Sequence, residues 1–172
     1  MIPRAKARGG VKDAIGLLKE DHTKVRALLG ELEKSSEKGT ARREELLEEI
    51  ERELKIHTTI EEEIFYPAFR EAAEKKDDLK LYYEAIEEHH VVDTVLPELK
   101  GTDPATEVFA AKAKVLKDLV EHHAEEEETE MFPRVRKLMD REELVRLGDQ
   151  LAQAKVSLTE RVLTKLVELV RP

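Results

Sequence analysis

One arrangement of residues occurs twice in this chain of 172 residues, and the repeat limits the possible folds more than any other feature of the sequence. Each copy contains a histidine, a second histidine that begins a His-x-x-x-Glu sequence, and an aromatic residue followed by proline. The first copy is His22, His57, Glu61 and Tyr66-Pro67, and the second is His89, His123, Glu127 and Phe132-Pro133. This duplication predicts two similar units that pack against each other.

Both copies lie in stretches with the apolar spacing of an amphipathic helix. Ile15, Leu18, Val25 and Leu29 share one helix face with His22, in steps of three and four residues. The composition agrees, because 40% of the residues are charged and 40% are hydrophobic, as in helices with one solvated face. The pattern predicts helices at about 11–36, 41–72, 79–100, 104–139 and 141–170, and it contains no strand of useful length.

The predicted fold is therefore all-α. Two helical hairpins, one from each copy, are expected to form an up-down four-helix bundle over residues 11–140, with an additional C-terminal helix in residues 141–172. Residues 1–10 are predicted to be a disordered basic arm. The C-terminal helix carries an apolar stripe through Leu144, Leu151 and Leu158, so it either packs on the bundle or joins two chains as a homodimer. Monomer and homodimer both stay open.

Local signals predict where helices begin and end. The sequence Gly101-Thr-Asp-Pro104 predicts a helix end at a left-handed glycine and a cap for the next helix at Thr or Asp. Asp140-Arg-Glu-Glu143 resembles a capping box, which predicts the start of the last helix. Pro67 and Pro133 lie inside predicted helices, where each is expected to cause a kink or a break.

The repeated histidines and glutamates fall in line with residues predicted to be buried. Burying a carboxylate is costly unless it has a partner, and these helix faces offer few cations. A metal ion is the simpler explanation, and the candidate ligands are His22, His57, Glu61, His89, His123 and Glu127. His90 and His122 are the second members of two doublets and point about 100° away on their helices, so we expect them to be exposed or to support the ligands. The alternative is ordinary helix surface, since one His-x-x-x-Glu in so acidic a chain carries little weight.

The amino-acid composition limits which other kinds of site, partner and cellular location are expected. The chain has no cysteine, which excludes disulfides, thiolate metal sites and thiol catalysis. Its formal net charge of −9 argues against nucleic acid and anionic membranes as partners. No apolar run approaches the ~18 residues of a membrane span, and no signal peptide is apparent, so a cytoplasmic protein is expected.

Over about residues 14–140 the chain resembles hemerythrin-like (HHE cation-binding) domains. The resemblance is carried by Asp21-His22, by His57 through Pro67, by Glu88-His89, and by His122-His123 through Glu127 and Phe132-Pro133. It implies a non-haem di-iron centre in which four histidines are terminal ligands. It also implies that Glu61 and Glu127 bridge the two irons, with an oxo, hydroxo or water ligand between them. Manganese and zinc also suit this set of His and carboxylate ligands.

The chain departs from the oxygen-carrying members of that family at the third helix. Those members have His-x-x-x-His there, whereas His89 is followed four residues later by Asp93. Four imidazoles instead of five resemble the bacterial H-HxxxE-H-HxxxE branch, and this argues against reversible oxygen transport. Asp93 is either an extra ligand, a partner of an imidazole or a solvated residue, and Tyr66 and Tyr82 are kept outside the metal set.

Two hypotheses for function follow if the site binds metal, and the third is a metal-free interaction bundle. In the first, the protein is a catalase- or peroxidase-like di-iron oxidoreductase that binds or turns over hydrogen peroxide, O2 or nitric oxide. In the second, it is a sensor or storage module that binds O2 or iron without turnover. Four histidines leave coordination positions free, which favours the first hypothesis.

Overall fold

The computed structural model describes residues 12–170, without the side chains at 162, 163 and 165–170. The predicted N-terminal arm and the last part of the apolar C-terminal stripe lie outside the described residues. The elements are α1 (Ala14–Lys34), α2 (Thr40–Ile60), the π-helix π1 (Glu61–Phe65), α3 (Tyr66–Ala72), α4 (Lys76–Lys100), α5 (Glu107–Glu126), the π-helix π2 (Glu127–Met131), α6 (Phe132–Leu138) and α7 (Arg141–Val170).

The predicted all-α bundle is confirmed: every regular element of residues 12–170 is helical. One hairpin consists of α1 and α2, continued by π1 and α3, and the other of α4 and α5, continued by π2 and α6. Helix α1 packs along both α2 and α5, and α4 packs along α5, whereas α2 and α4 approach each other at only a few positions. No helix in the described part of the chain is long and apolar enough to span a membrane.

A π-helix of five residues interrupts the second helix of each hairpin at the repeated glutamate. The backbone N–H of Tyr66 donates to the carbonyl of Glu61, five residues earlier, and the N–H of Phe132 donates to the carbonyl of Glu127. Each π-helix lies just before the residue pair that ends in Pro67 or Pro133. Proline has no N–H to donate to the preceding turn, which accounts for a local change in the helix. At both prolines the predicted kink or break is a wider helical turn, after which the helix continues.

The helix ends follow local capping, with two corrections. The Asp140 backbone N–H donates to the Glu143 carboxylate and the Glu143 N–H donates to Asp140, at 2.8 and 2.9 Å, which confirms the predicted capping box. The prediction of a left-handed Gly101 was wrong: its φ is −79°, because the chain continues in a right-handed turn before α5. The prediction of a cap at Thr102 or Asp103 was wrong too: α5 begins at Glu107, and its cap is Thr106, which accepts from the N–H of Phe109.

Two apolar clusters form the core, and the repeated histidines and glutamates lie between them. The first cluster fills the loop end of the hairpins with residues from α1, α2, α4 and α5, such as Val25, Leu54, Val92 and Val120. The second contains aromatic side chains of π1, α3 and α6 together with Leu144, Leu147 and Leu151 of α7. The first half of α7 therefore packs on the hairpins through its apolar stripe.

Helix α7 crosses the start of α1 at a glycine. A Cβ atom added at Gly148 would lie 2.7 Å from the carbonyl oxygen of Lys12 and 2.9 Å from the backbone nitrogen of Ala14. Both neighbours are backbone atoms, which cannot rotate away as a side chain would. This close approach holds α7 against the N-terminal end of α1.

We predict that Gly148→Ala destabilises the protein by about 1–3 kcal/mol because the added methyl group is overpacked. The matched control is Gly30→Ala in α1, where an added Cβ meets no atom within 4 Å. There, alanine should stabilise by about 0.5–1 kcal/mol because it is the better helix former. Urea unfolding of the two variants measures both effects, and equal changes in free energy of unfolding would contradict the proposed contact.

Candidate metal centre

The structure brings together all six side chains that the repeat singles out. They come from α1, α2, π1, α4, α5 and π2, and none is more than 6% exposed. Each histidine lies on the same helix face as its apolar neighbours, so helix packing carries it inward. His57 with Glu61, and His123 with Glu127, are four residues apart and therefore on one side of their helices. The two π-helices begin at these glutamates, at the level of the histidines.

The six residues form two groups that share one carboxylate. His22, His57, Glu61 and Glu127 offer ligand atoms within 4.8 Å of one another, and so do Glu61, His89 and His123. Glu61 Oε1 lies 3.2 Å from Nε2 of His57, and its Oε2 lies 3.4 Å from Nε2 of His89. Glu61 thus faces both groups with different oxygens, as a bridging carboxylate would.

Glu127 occupies the matching place from the second copy of the repeat. Its Oε2 lies 3.1 Å from Nε2 of His22 and 3.8 Å from Nε2 of His123. The Nε2 atoms of His89 and His123 are 3.1 Å apart. If both nitrogens carried a proton, their N–H groups would repel each other at this distance, so at least one of them has a free lone pair. This geometry favours a cation that both nitrogens share.

Every histidine of the set has a second carboxylate at its outward nitrogen, and sequence reasoning missed these partners. Nδ1 of His22 lies 2.9 Å from Glu128, that of His89 lies 2.8 Å from Glu62, and that of His123 lies 2.7 Å from Glu88. Nδ1 of His57 lies 3.6 Å from Asp21, which is an ion-pair distance. An Nδ1–H that donates to a carboxylate leaves the inward Nε2 with a free lone pair, which is the form that binds metal.

The repeat contained a signal for these outer carboxylates. Asp21 and Glu88 each precede the first histidine of a copy, and Glu62 and Glu128 each follow the glutamate. The partner of each acid is a histidine on another helix, and that pairing depends on the distance between helices. The two outer acids beside His57 and His22 also contact cations. Lys155 of α7 donates to Asp21, and Arg26 donates to Glu128 at 2.7 Å.

Burial and neighbouring charges set the protonation of the imidazoles. Burial lowers the pKa of His57 to about 4, and the charge of His22 acts in the same direction. Burial and the charge of His123 also lower the pKa of His89. For His123 burial is outweighed by Glu127 and Glu88, which raise its pKa. His57 and His89 are therefore neutral and ready to coordinate at neutral pH.

The two buried glutamates are pushed in opposite directions. Burial raises the pKa of Glu61 well above its usual range, and the charge of Glu127 adds to the effect. Burial also acts to raise the pKa of Glu127, but the imidazoles of His123 and His22 outweigh it and lower the pKa. Without a cation, the site holds one carboxylate that resists ionisation beside another that is ionised.

The side chains present fit metal ions, because their inward atoms have no other partner. Nε2 of His22 and His57, both oxygens of Glu61 and Oε2 of Glu127 are buried without a hydrogen bond, and so is the outward Nδ1 of His57, which lies 3.6 Å from Asp21. Buried polar atoms are nearly always paired, so this concentration of unpaired atoms requires an explanation, and bound cations supply one. Imidazole and carboxylate donors without thiolate suit iron, manganese or zinc.

A tyrosine that sequence reasoning placed outside the set reaches into the site. The hydroxyl of Tyr66 is buried, donates to Oε1 of Glu127 at 2.9 Å and lies 3.3 Å from Nε2 of His89. At the matching position of the second copy Phe132 stacks on His22, with ring centroids 5.8 Å apart. The sequence did contain a sign of this role, because Tyr66 has a hydroxyl at the position where the other copy has Phe132. Burial and the charge of Glu127 raise the pKa of Tyr66 well above its usual value.

The other residues that the sequence analysis considered near the metal set lie farther from the buried cluster. Tyr82 packs edge-on against Tyr66, with ring centroids 6.3 Å apart. Asp93 is exposed and belongs to neither of the two buried groups. His90 and His122 have side chains that are 63% exposed, and His122 Nε2 lies 3.6 Å from Glu88. Among the described residues, His122 also forms an exposed group with Glu88 and Glu126 at the surface.

A small cavity of about 20 Å³ lies against the histidines. The four imidazoles form one wall, and the opposite wall is aliphatic, from Val25, Leu54, Val92 and Val120. About 10–15 Å³ is enough to hold one water-sized molecule. The space beside the candidate centre therefore fits one molecule of about two non-hydrogen atoms.

We predict that Tyr66→Phe destabilises the metal-free protein by about 1–3 kcal/mol, because Oε1 of Glu127 loses its donor while staying buried. The ring itself should be tolerated, since Phe132 occupies the matching position. Tyr82→Phe is the control, because Tyr82 contacts the same cluster and its hydroxyl makes no hydrogen bond to a described residue. Thermal or urea unfolding in the presence of a chelator compares the two, and equal stability of both variants would contradict the contact.

Two known proteins resemble this chain. A protein from Nostoc sp. named DNA nickase is 27% identical over 146 residues, a match that covers 85% of this chain and 40% of the relative. The chain thus spans about two fifths of that relative's length. The crystal structure of a hemerythrin HHE cation-binding domain-containing protein from Mycobacterium kansasii is 28% identical, with a TM-score of 0.80, and the match covers 93% of this chain and 95% of that one.

The family comparison agrees with the geometry. The family model described as hemerythrin HHE cation-binding domain matches residues 13–135, which include both hairpins and all six buried ligand candidates. The match ends before α7, as the internal repeat does. The chain is a member of the hemerythrin HHE cation-binding domain family.

Proposed function

We propose that this protein holds two iron ions in the His22, His57, Glu61, His89, His123 and Glu127 cluster and turns over a small oxidant there. The observation that carries the proposal is the pairing of this cluster with a cavity of about 20 Å³ on its histidine side. The cavity admits hydrogen peroxide, O2 or nitric oxide and excludes a larger substrate from the ligand atoms. Cation binding itself follows from membership of the family.

Each residue has a role in this proposal. His22 and His57 would hold one ion and His89 and His123 the other, with Glu61 and Glu127 shared between them. Bound iron would supply the redox chemistry that disproportionates hydrogen peroxide to water and O2, and the same ions would reduce O2 or nitric oxide only with electrons from an external donor. The outer acids Asp21, Glu62, Glu88 and Glu128 fix the imidazoles in the tautomer with a free Nε2. They also make each imidazole a stronger donor, which favours a more highly charged ion.

Tyr66 and the apolar walls complete the site. The hydroxyl of Tyr66 holds a proton at Oε1 of Glu127, 2.9 Å away, and leaves Oε2 of that glutamate to face the histidines. Val25, Leu54, Val92 and Val120 keep bulk water away from the ligand side of the centre. A dry site strengthens electrostatic interactions with a bound ligand and limits side reactions with solvent.

The alternative, a sensor or store for O2 or iron, has less support. A single buried cluster offers room for a pair of ions and not for an iron core of many. A sensor would form the same ligand adduct and would show no turnover. The activity in the name of the Nostoc relative does not enter the proposal, because 60% of that relative lies outside the match and the net charge of −9 opposes approach to DNA phosphates.

We predict that the protein loaded with iron under anaerobic conditions binds about two ions per chain, as di-iron bundles do. Glu61→Gln should lower this ratio strongly, because Glu61 faces both groups. His90→Ala and His122→Ala remove exposed histidines next to ligand candidates and should retain the full ratio. Elemental analysis after gel filtration measures all four proteins, and it also reports manganese or zinc in the protein as purified. Full iron content in Glu61→Gln would overturn the ligand assignment.

We also predict that the iron-loaded protein consumes hydrogen peroxide over many turnovers, because two molecules of peroxide give two of water and one of O2 without another reactant. With an added electron donor it should also reduce nitric oxide over many turnovers, two molecules taking up two electrons and two protons to give N2O and water. An oxygen electrode and a nitric oxide electrode follow the reactions, with Glu61→Gln as the inactive control and His90→Ala as the active one. An oxidant adduct that forms once and reverses without consumption would favour the sensor. No adduct with any of the three ligands would reject both functions.

A further inference from the structure

We propose that small uncharged ligands reach the centre through a groove between α2 and α4, across a gate formed by Leu54 and Val92. The inference rests on the proposed function, because it identifies the route to that same site. The groove is an open surface cavity of about 620 Å³. Its rim is charged on both sides, with Lys55 on α2 and Asp93 on α4, and its floor is aliphatic.

The groove and the inner cavity meet at the same side chains. Leu54, Thr58 and Val92 line the groove, and the same three residues line the cavity against the histidines. Leu54 is 5% exposed and Val92 is 6% exposed, so together they close the passage. One side-chain layer therefore separates the centre from the groove, and a change of rotamer in that layer would open it.

The internal repeat offers a comparison within the molecule. Val25 on α1 matches Val92, and Val120 on α5 matches Leu54, so the interface of α1 with α5 is the counterpart of the interface of α2 with α4. Helices α1 and α5 pack closely along their length, whereas α2 and α4 approach each other at only a few positions. All four aliphatic residues line the inner cavity, but only Leu54 and Val92 also line the groove.

The lining of the passage decides what can cross it. Leu54 and Val92 offer no hydrogen bond and Thr58 offers one hydroxyl, so an anion would lose most of its hydration without compensation. O2 and nitric oxide are weakly hydrated and lose little on entry, and undissociated hydrogen peroxide loses hydrogen bonds but no hydration of a net charge. The passage therefore favours O2, nitric oxide and undissociated hydrogen peroxide over anions of similar size, such as azide.

The first experiment opens the gate. Val92→Ala and Val25→Ala remove the same atoms from matching positions of the cavity wall, and only the first also lies in the groove. We expect Val92→Ala to accelerate both binding and release of nitric oxide by about tenfold, the effect of a modest drop in barrier, with the dissociation constant unchanged. Val25→Ala should leave both rates close to those of the unaltered protein. Stopped-flow spectroscopy of the di-ferrous protein measures both rates.

The second experiment blocks the groove. The chain has no cysteine, so one introduced cysteine can be labelled selectively with a bulky maleimide. Labelled Lys55→Cys, on the groove rim, should slow nitric oxide binding and release together. Labelled Glu121→Cys, at the matching position of α5, is the control and should bind at the normal rate.

The outcomes separate this inference from the proposed function. If nitric oxide binds the unaltered protein, but Val92→Ala and Val25→Ala have equal rates and the labelled rim has no effect, the route is wrong and the proposed function stands. Faster kinetics in Val25→Ala alone would place the route between α1 and α5 and overturn the inference. If nitric oxide does not bind the unaltered protein at all, the proposed function and the inference both fail.

Discussion

Two carboxylates buried among four imidazoles are the constraint on which the rest of the structure depends. Glu61 and Glu127 lie inside the bundle at 0% and 2% exposure, and several of their oxygens have no hydrogen-bond partner. Such groups are costly to bury alone, so the surrounding residues are arranged to compensate. The four outer acids orient the imidazoles, Tyr66 supplies a donor, and the two apolar clusters close the layer from both ends. Cations between the inward atoms would complete the compensation.

The internal repeat explains both the regularity of the site and its exceptions. Each copy supplies two histidines, one buried glutamate between the histidine pairs and two outer acids, and each bends its helix into a π-turn at that glutamate. The copies differ at Tyr66 and Phe132, and in the cations Arg26 and Lys155 that accompany the outer acids on one side only. The two groups of candidate ligands are consequently surrounded by different charges. The copies also differ in packing, since α2 and α4 flank a groove and approach each other at fewer positions than α1 and α5 do.

Helix α7 lies outside the repeat but is connected to the centre. Its apolar residues belong to the second apolar cluster, and Gly148 allows it to touch the start of α1. Its Lys155 donates to Asp21, which faces His57. The position of this helix therefore affects an outer partner of one ligand candidate. Whether its later residues also join two chains is still a prediction, since their side chains lie outside the described residues.

The sequence by itself determined the helices, the bundle and the six buried candidates. Helical spacing and a four-residue separation are local properties, and the duplication shows which histidine of each doublet faces inward, so no long-range information was needed. Only the tertiary structure decided which outer acid meets which histidine, that the Tyr66 hydroxyl reaches Glu127, and that one helix interface is open. These features depend on distances and rotations between helices that are far apart in the chain, and residue spacing within a helix carries no record of them.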